Sequence, residues 1–173
     1  MATFTPNNAP GCTVMVRFAP GVGVKVRKNM EAFFNHPNLV DVIDGVGTIH
    51  YARWILYDND TKLLYSVVFD GDFDKYWADF LPYFQKYKVP PVFTLAEDWP
   101  ADGLTNLQSF QKFFKDHQVD SLGEWGSFGG ATMQEIRKAL RVNEAFQKVL
   151  DNPAAQKALQ DPALQPLLEH AAA

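Results

Sequence analysis

Thr48-Ile-His-Tyr-Ala-Arg-Trp-Ile-Leu-Tyr57, Asp58-Asn-Asp-Thr-Lys62, Leu63-Leu-Tyr-Ser-Val-Val-Phe69, then Asp70-Gly-Asp-Phe-Asp74: this stretch decides the fold. Its two long runs are rich in β-branched and aromatic residues, the composition of strands that present a packed face. The cluster between them is made of turn formers, so the runs are expected to pair as an antiparallel hairpin. Asp70-Gly71-Asp72 then stops the second strand. Gly71 permits a tight turn, and Asp72 is placed to cap the first free amides of a following helix, with Asp74 suiting the positive end of its dipole. Phe73, Tyr76, Trp77 and Phe80 fall at helical spacing. Pro82 has no amide hydrogen and predicts a kink or an end near Leu81.

Upstream, Val14, Val16 and Phe18 alternate with Thr13, Met15 and Arg17, which predicts a half-buried first strand over 13–18. Pro20, Gly21 and Gly23 break it. A helix is expected from Val24 to Asn35, with Val26, Met30, Phe33 and Phe34 on one face, and after Pro37 a loop to Gly47. Downstream, Pro90-Pro91 introduces a further extended stretch, Val92–Ala96, read as the fourth strand. A polar loop, Glu97–Gly103, precedes a second amphipathic helix, capped by Thr105 and burying Leu107, Phe110, Phe113 and Phe114. Trp125 and Phe128 sit in a glycine-rich segment. Thr132-Met-Gln-Glu135 is a capping-box pattern opening a helix with Ile136 and Leu140 inside. Asn152-Pro153 and Asp161-Pro162 each place a cap before a proline at the first helical position.

The order of elements gives an α+β fold: a ferredoxin-like βαββαβ antiparallel sheet with helices on one face, plus a C-terminal helical extension. The expected organisation is a flexible N-terminus over 1–10, the ferredoxin-like domain over 11–130, and the helical extension over 131–173, packed on the body or on a partner subunit. A small open sheet leaves one face uncovered, and pairing two such faces in a homodimer or higher homo-oligomer is a common solution.

Composition excludes several functions. The 173 residues carry 16 Lys and Arg against 20 Asp and Glu, a formal charge of −4, and the cations are scattered. Phosphate binding needs clustered positive charge, so nucleic acid is not expected as a partner. No apolar run approaches the ~20 residues that span a bilayer, so a membrane is not expected either. Met1–Pro10 has no basic and apolar leader pattern, and the expected location is the cytoplasm. Cys12 is the single cysteine, which rules out an internal disulfide and a cysteine-based zinc site. Asp70, Asp72 and Asp74 alternate as calcium ligands do, but the rest of a calcium loop is missing and helix capping accounts for them. Nucleotide-binding loops and the nucleophile elbow are also absent.

Gly47-Thr-Ile-His-Tyr-Ala-Arg-Trp54 on one strand, with Val67-Val-Phe-Asp-Gly-Asp-Phe-Asp74 running from strand to helix, resembles the dimeric α/β-barrel superfamily over roughly residues 11–96. That superfamily includes cofactor-free monooxygenases, polyketide cyclases, haem-degrading enzymes, chlorite dismutases and dye-decolourising peroxidases. The resemblance implies oxygenase, peroxidase-like or cyclase chemistry on a hydrophobic or aromatic substrate, with haem or no cofactor at all. Peroxidases of this kind carry Gly-x-x-Asp-Gly, and here Val67 stands in place of the glycine. Their proximal histidine has one counterpart in a plausible region, His117. His36 and His117 otherwise read as surface residues near helix ends.

A register argument selects the candidate site. If Tyr57 pairs with Leu63, then Trp54 faces Ser66, Ala52 faces Val68 and His50 faces Asp70, with Tyr51, Arg53, Ile55 and Tyr57 meeting Phe69, Val67, Tyr65 and Leu63 on the other face. A one-residue slip would undo the match, because side chains alternate. A carboxylate beside an imidazole fixes its tautomer and raises its basicity. The catalytic candidates are therefore His50 as proton acceptor, Asp70 as its orienter and Arg53 as anion anchor. Tyr51, Trp54, Tyr65 and Trp77 are the substrate-binding candidates. The competing reading makes His50 a structural histidine, pairs Arg53 with Asp74 or Glu31, and leaves the chain a non-catalytic ligand-binding or self-association module.

Overall fold

The computed structural model describes residues 11–87, 91–123 and 130–172. The expectations for residues 1–10, Pro90, Trp125 and Phe128 lie outside them. The chain divides into two compact units, Met1–Met133 and Gln134–Ala173.

The first unit is built on one four-stranded antiparallel sheet with strand order β2-β3-β1-β4. Its strands are β1 (Gly11–Arg17), β2 (Ile49–Tyr57), β3 (Lys62–Phe69) and β4 (Gln118–Val119). Between β1 and β2 lie α1 (Gly23–Phe34) and α2 (Leu39–Val46); between β3 and β4 lie α3 (Phe73–Tyr87) and α4 (Leu107–Asp116). Strand order and direction are those of the ferredoxin-like fold, as the α+β reading requires.

Several expectations of local structure change. Val92–Leu95 is a 3₁₀ turn rather than a strand, and the fourth strand is the two-residue β4, one helix later. The turn follows Pro91, which starts extended and supplies the carbonyl for the Thr94 amide. The segment between Pro37 and Gly47 is the helix α2, not a loop. Its Val42 and Val46 are buried one turn apart, and Gly47 ends it in the left-handed conformation at φ 65°, where glycine is favoured. Of the two outcomes read for Pro82, a kink or an end, the end is excluded, because α3 runs on to Tyr87. The missing amide leaves the Ala78 carbonyl without its helical bond, while Phe80 and Leu81 before Pro82 are buried and Tyr83 and Phe84 after it pack on the core. Finally, α4 is capped by Asn106, whose side chain accepts from the amides of Gln108 and Ser109, and not by Thr105.

Other local signals appear as read. Asp72 Oδ1 accepts the Lys75 amide at 2.8 Å, and Asp74 pairs with Lys115 at 2.7 Å. The hairpin turn holds Asp58, Asn59 and Asp60 all at positive φ, between 53° and 63°. Aspartate and asparagine tolerate that conformation better than other residues with a Cβ. Asp60 is further held by Arg27 at 2.6 Å.

One face of the sheet carries the core. Val14 and Val16 of β1, with Leu63, Tyr65, Val67 and Phe69 of β3, are almost wholly inaccessible. Helices α3 and α4 cover them with an aromatic cluster centred on Trp77, which stacks on Phe114 at 3.4 Å between ring centroids and 6° between planes. The second unit takes up α5 (Met133–Leu150) from its second residue, followed by two short helices, α6 (Gln156–Leu159) and α7 (Gln165–Ala172). Asn152 and Asp161 cap the turns before them, accepting the amides of Ala154 and Ala163. Leu140, expected inside, is exposed. Among the described residues, no helix is long and apolar enough to cross a membrane.

Because Trp77 is 2% exposed and touches both the sheet and α4, Trp77→Ala is expected to cost about 3–5 kcal/mol. Urea unfolding of the variant measures this; a loss under about 1 kcal/mol would contradict the placement of Trp77 at the centre of the core.

Candidate functional site

The hairpin register differs by one residue from the expected one. Tyr57 pairs with Lys62 rather than Leu63, Trp54 with Tyr65 rather than Ser66, Arg53 with Ser66, and Tyr51 with Val68. The reason is the turn: three left-handed residues close the hairpin one position earlier than a Tyr57–Leu63 pairing requires. The slip exchanges the neighbours of every residue on β2, and Ala52 meets Val67 rather than Val68.

His50 and Asp70 meet nevertheless. A β-bulge between Ile49 and Tyr51 makes His50 an extra residue, so that Ile49 pairs with Phe69. The bulge turns Ile49 toward the core and places His50 Nε2 at 2.5 Å from Asp70 Oδ1. Both side chains are 14% exposed. The second carboxylate oxygen of Asp70 accepts the amide of Met133 at 2.7 Å, and the Asp70 amide donates to the Thr48 carbonyl at 2.9 Å. Asp70 thus joins two distant parts of the first unit as well as holding the imidazole.

The sheet separates the other candidates. Trp54, Tyr65 and Trp77 lie on the core side, with Trp54 and Tyr65 rings 4.9 Å apart and Tyr65 and Trp77 rings 5.8 Å apart. Tyr51 and Arg53 lie on the opposite, open face, where Arg53 donates to the Tyr51 hydroxyl at 3.0 Å and its guanidinium lies 5.5 Å from that ring. Arg53 therefore does not reach into a space walled by Trp54 and Tyr65, and Tyr51 is not part of that wall. Nor does Arg53 pair with Asp74, which is taken by Lys115, or with Glu31.

Beneath the sheet, Met30, Ile49, Trp54, Tyr65, Trp77 and Phe93 surround an apolar void of about 30 Å³. That is about the volume of one water molecule, against the ~300 Å³ or more of a typical small-molecule site. Haem does not fit it. His117 does not offer an iron ligand either: its Nδ1 lies 2.8 Å from the Phe113 carbonyl and its Nε2 lies 3.0 Å from Asp98. It is also half-buried rather than a surface residue. His36 Nδ1 accepts the Asn38 amide. Among the described residues, no group of His, Cys, Asp and Glu is arranged to hold a metal.

The sequence reading missed a buried polar pair. The Tyr65 and Tyr76 hydroxyls lie 2.6 Å apart inside the core. Burial drives both far above the ordinary tyrosine value; the bond between them opposes the shift at Tyr65 and adds to it at Tyr76. Inward alternation of Tyr65 on β3 and the helical position of Tyr76 would have revealed the pair in the correct register. Two further buried polar atoms, Thr48 Oγ1 and Trp77 Nε1, have no partner among the described residues.

No family model matches the chain, and neither a curated protein nor a solved structure matches it.

Two expectations follow. Removing the Asp70 carboxylate leaves the Met133 amide without its acceptor and the imidazole without its partner, so Asp70→Ala is expected to cost about 1–3 kcal/mol in urea unfolding; an unchanged midpoint would contradict the bracing role. The tyrosine pair keeps its protons in the native state where an unfolded chain releases them near pH ~10. Its contribution is therefore complete below that pH and is lost as pH rises above it. The decline in stability between about pH 9 and pH 11 should be shallower in Tyr65→Phe/Tyr76→Phe than in the parent chain. Parallel declines would contradict it.

Proposed function

We propose that this chain is a self-associating module that pairs with a second copy of itself through the open face of its sheet. The observation that carries the reading is the composition of that face. Met15, Leu64 and Ile55 lie side by side across β1, β3 and β2, with Tyr57 in the next row on one side and, past the row Thr13, Ser66 and Arg53, Val68 and Tyr51 on the other. Tyr51 is 56% exposed, and Ile55, Tyr57 and Val68 are each about 37–39% exposed. Apolar area on one sheet face favours association, because burying it releases its hydration; the polar row Thr13, Ser66 and Arg53 and the charged Arg17 and Lys62 border the central apolar row. Two-fold pairing of identical faces closes the assembly at two copies.

A second reading has its own observation. With Nε2–H donating to Asp70, His50 Nδ1 has no partner among the described residues and retains a lone pair. An imidazole oriented in this way is suited to accept a proton. On that reading, His50 and Asp70 serve a hydrophobic substrate in oxygenase, peroxidase-like or cyclase chemistry, with Trp54, Tyr65 and Trp77 as its apolar surroundings once the core opens. Nitrogen-15 spectra of the neutral imidazole test the geometry: the Nε2–H tautomer supports it, and the Nδ1–H tautomer contradicts it.

Self-association is tested by sedimentation equilibrium. The expected result is a concentration-dependent dimer. Ile55→Asp, on an exposed position, should weaken it at least roughly tenfold while circular dichroism stays unchanged. A chain that stays monomeric over the whole concentration range would refute the proposal.

A further inference from the structure

On the inner side of the sheet, away from the open face, a pocket of about 330 Å³ lies between α1 and the strands β2 and β3. Val26 and Leu63, each 1% exposed, form its floor. Met30 and Phe34 of α1 wall one side, and Trp54 and Leu56 of β2 wall the other. Sites for small molecules begin at about 300 Å³, so there is room for a molecule of roughly two fused rings. The pocket is separate from the junction of His50 and Asp70: Leu56 stands well beyond His50 on β2, about 20 Å along the strand.

Two rings define the shape the pocket accepts. Phe34 stands edge-on to Trp54, with centroids 5.5 Å apart and planes at 88°. Perpendicular rings offer a third ring both favoured aromatic contacts, an offset stack on one and an edge contact with the other. Met30, unbranched and polarizable, adapts to the remaining contour.

Arg27 is the one charged residue of the lining. One edge of its guanidinium is already engaged: Nε donates to Asp60 Oδ2 at 2.8 Å, and Nη2 to Asp60 Oδ1 at 2.6 Å. The hairpin turn brings that carboxylate in, packing so closely on α1 that a Cβ at Gly23 would collide with the Asp60 Cβ. Asp60 thereby balances the charge of Arg27 and fixes the plane of its guanidinium. Nη1 has no partner among the described residues.

We infer that this pocket binds a small, planar, uncharged aromatic molecule bearing a carbonyl oxygen, which accepts a hydrogen bond from Arg27 Nη1. A free guanidinium would select a carboxylate. With Asp60 in place an anion gains little net attraction, and it would lose hydration against the apolar side chains of the lining. A ketone oxygen meets the spare N–H without that cost, and its rings bury against Trp54 and Phe34. Arg27 is 63% exposed, so its bond orients the molecule while ring burial supplies most of the affinity.

The test uses 6-propionyl-2-dimethylaminonaphthalene, a neutral naphthyl ketone whose emission shifts to the blue in apolar surroundings. Titrated into the full chain, it should saturate at one molecule per chain. Leu56→Trp, which fills the pocket from a half-buried position, should weaken binding roughly tenfold or more. Phe34→Ala, at an exposed position, should weaken it about threefold. 2-Acetylnaphthalene and 2-naphthoate share their rings and differ in charge; the ketone should displace the probe at a concentration roughly tenfold lower. Arg27→Met should weaken 2-acetylnaphthalene more than 2-methylnaphthalene, which has no acceptor. Circular dichroism and thermal unfolding separate loss of the pocket from loss of the fold. A parent chain with no saturable blue shift, or Leu56 and Phe34 variants that both bind as the parent does, overturn the site. Displacement by the naphthoate at an equal or lower concentration overturns the assignment of an uncharged ligand. The probe reads the pocket and sedimentation reads the open face, so either can fail without the other.

Discussion

The antiparallel register of β2 on β3 is the constraint from which everything else in the first unit follows. It sends Ala52, Trp54 and Leu56 toward the helices with Val67, Tyr65 and Leu63, and it sends Tyr51, Arg53, Ile55 and Tyr57 to the other side. Because side chains alternate strictly, no residue on these strands can change face without moving all the others. The exception is at His50, where the bulge reverses the alternation for Ile49 and brings the imidazole to Asp70. One irregularity thus separates a continuous core from the polar junction of His50, Asp70 and the Met133 amide.

The core on the inner face is unusual for its aromatic content. Trp77, Tyr65, Tyr76, Phe93, Phe110 and Phe114 pack edge to face or stacked, and each ring buries a large apolar area through few rotatable bonds. The two buried tyrosine hydroxyls satisfy one another, so their burial costs less than two isolated hydroxyls would. Such packing backs the opposite face of the sheet with a continuous layer of rings, while a pocket of about 330 Å³ remains between α1 and the inner side of β2 and β3.

Much of the fold was legible from the chain. Period-two alternation located β1, β-branched and aromatic composition around a turn cluster located β2 and β3, and the acidic, glycine-containing break located the start of α3. The meeting of His50 with Asp70 was also foreseen, but through a register that is off by one; beyond the bulge the register departs further, Ile49 pairing with Phe69, and the imidazole reaches Asp70 as the bulge's extra residue rather than as its cross-strand partner. Aromatic residues of the candidate site were therefore assigned to the wrong neighbours, and Tyr51 and Arg53 were joined to Trp54 across a sheet that separates them. Strand β4 was illegible because two residues carry no period. Val92–Leu95 imitated a strand by its apolar composition, although Pro91 and the short hydrogen bonds that follow it make a turn. The helical character of Leu39–Val46 was hidden by the proline and glycine that flank it.

Cross-strand proton contacts in the hairpin measure the central claim most directly. Nuclear Overhauser effects should connect Ile55 with Leu64 and Arg53 with Ser66, and the His50 ring should lie against Asp70. Contacts linking Trp54 with Ser66 and Ala52 with Val68 would mean the alternative register, in which the residues of β2 exchange faces relative to those of β3.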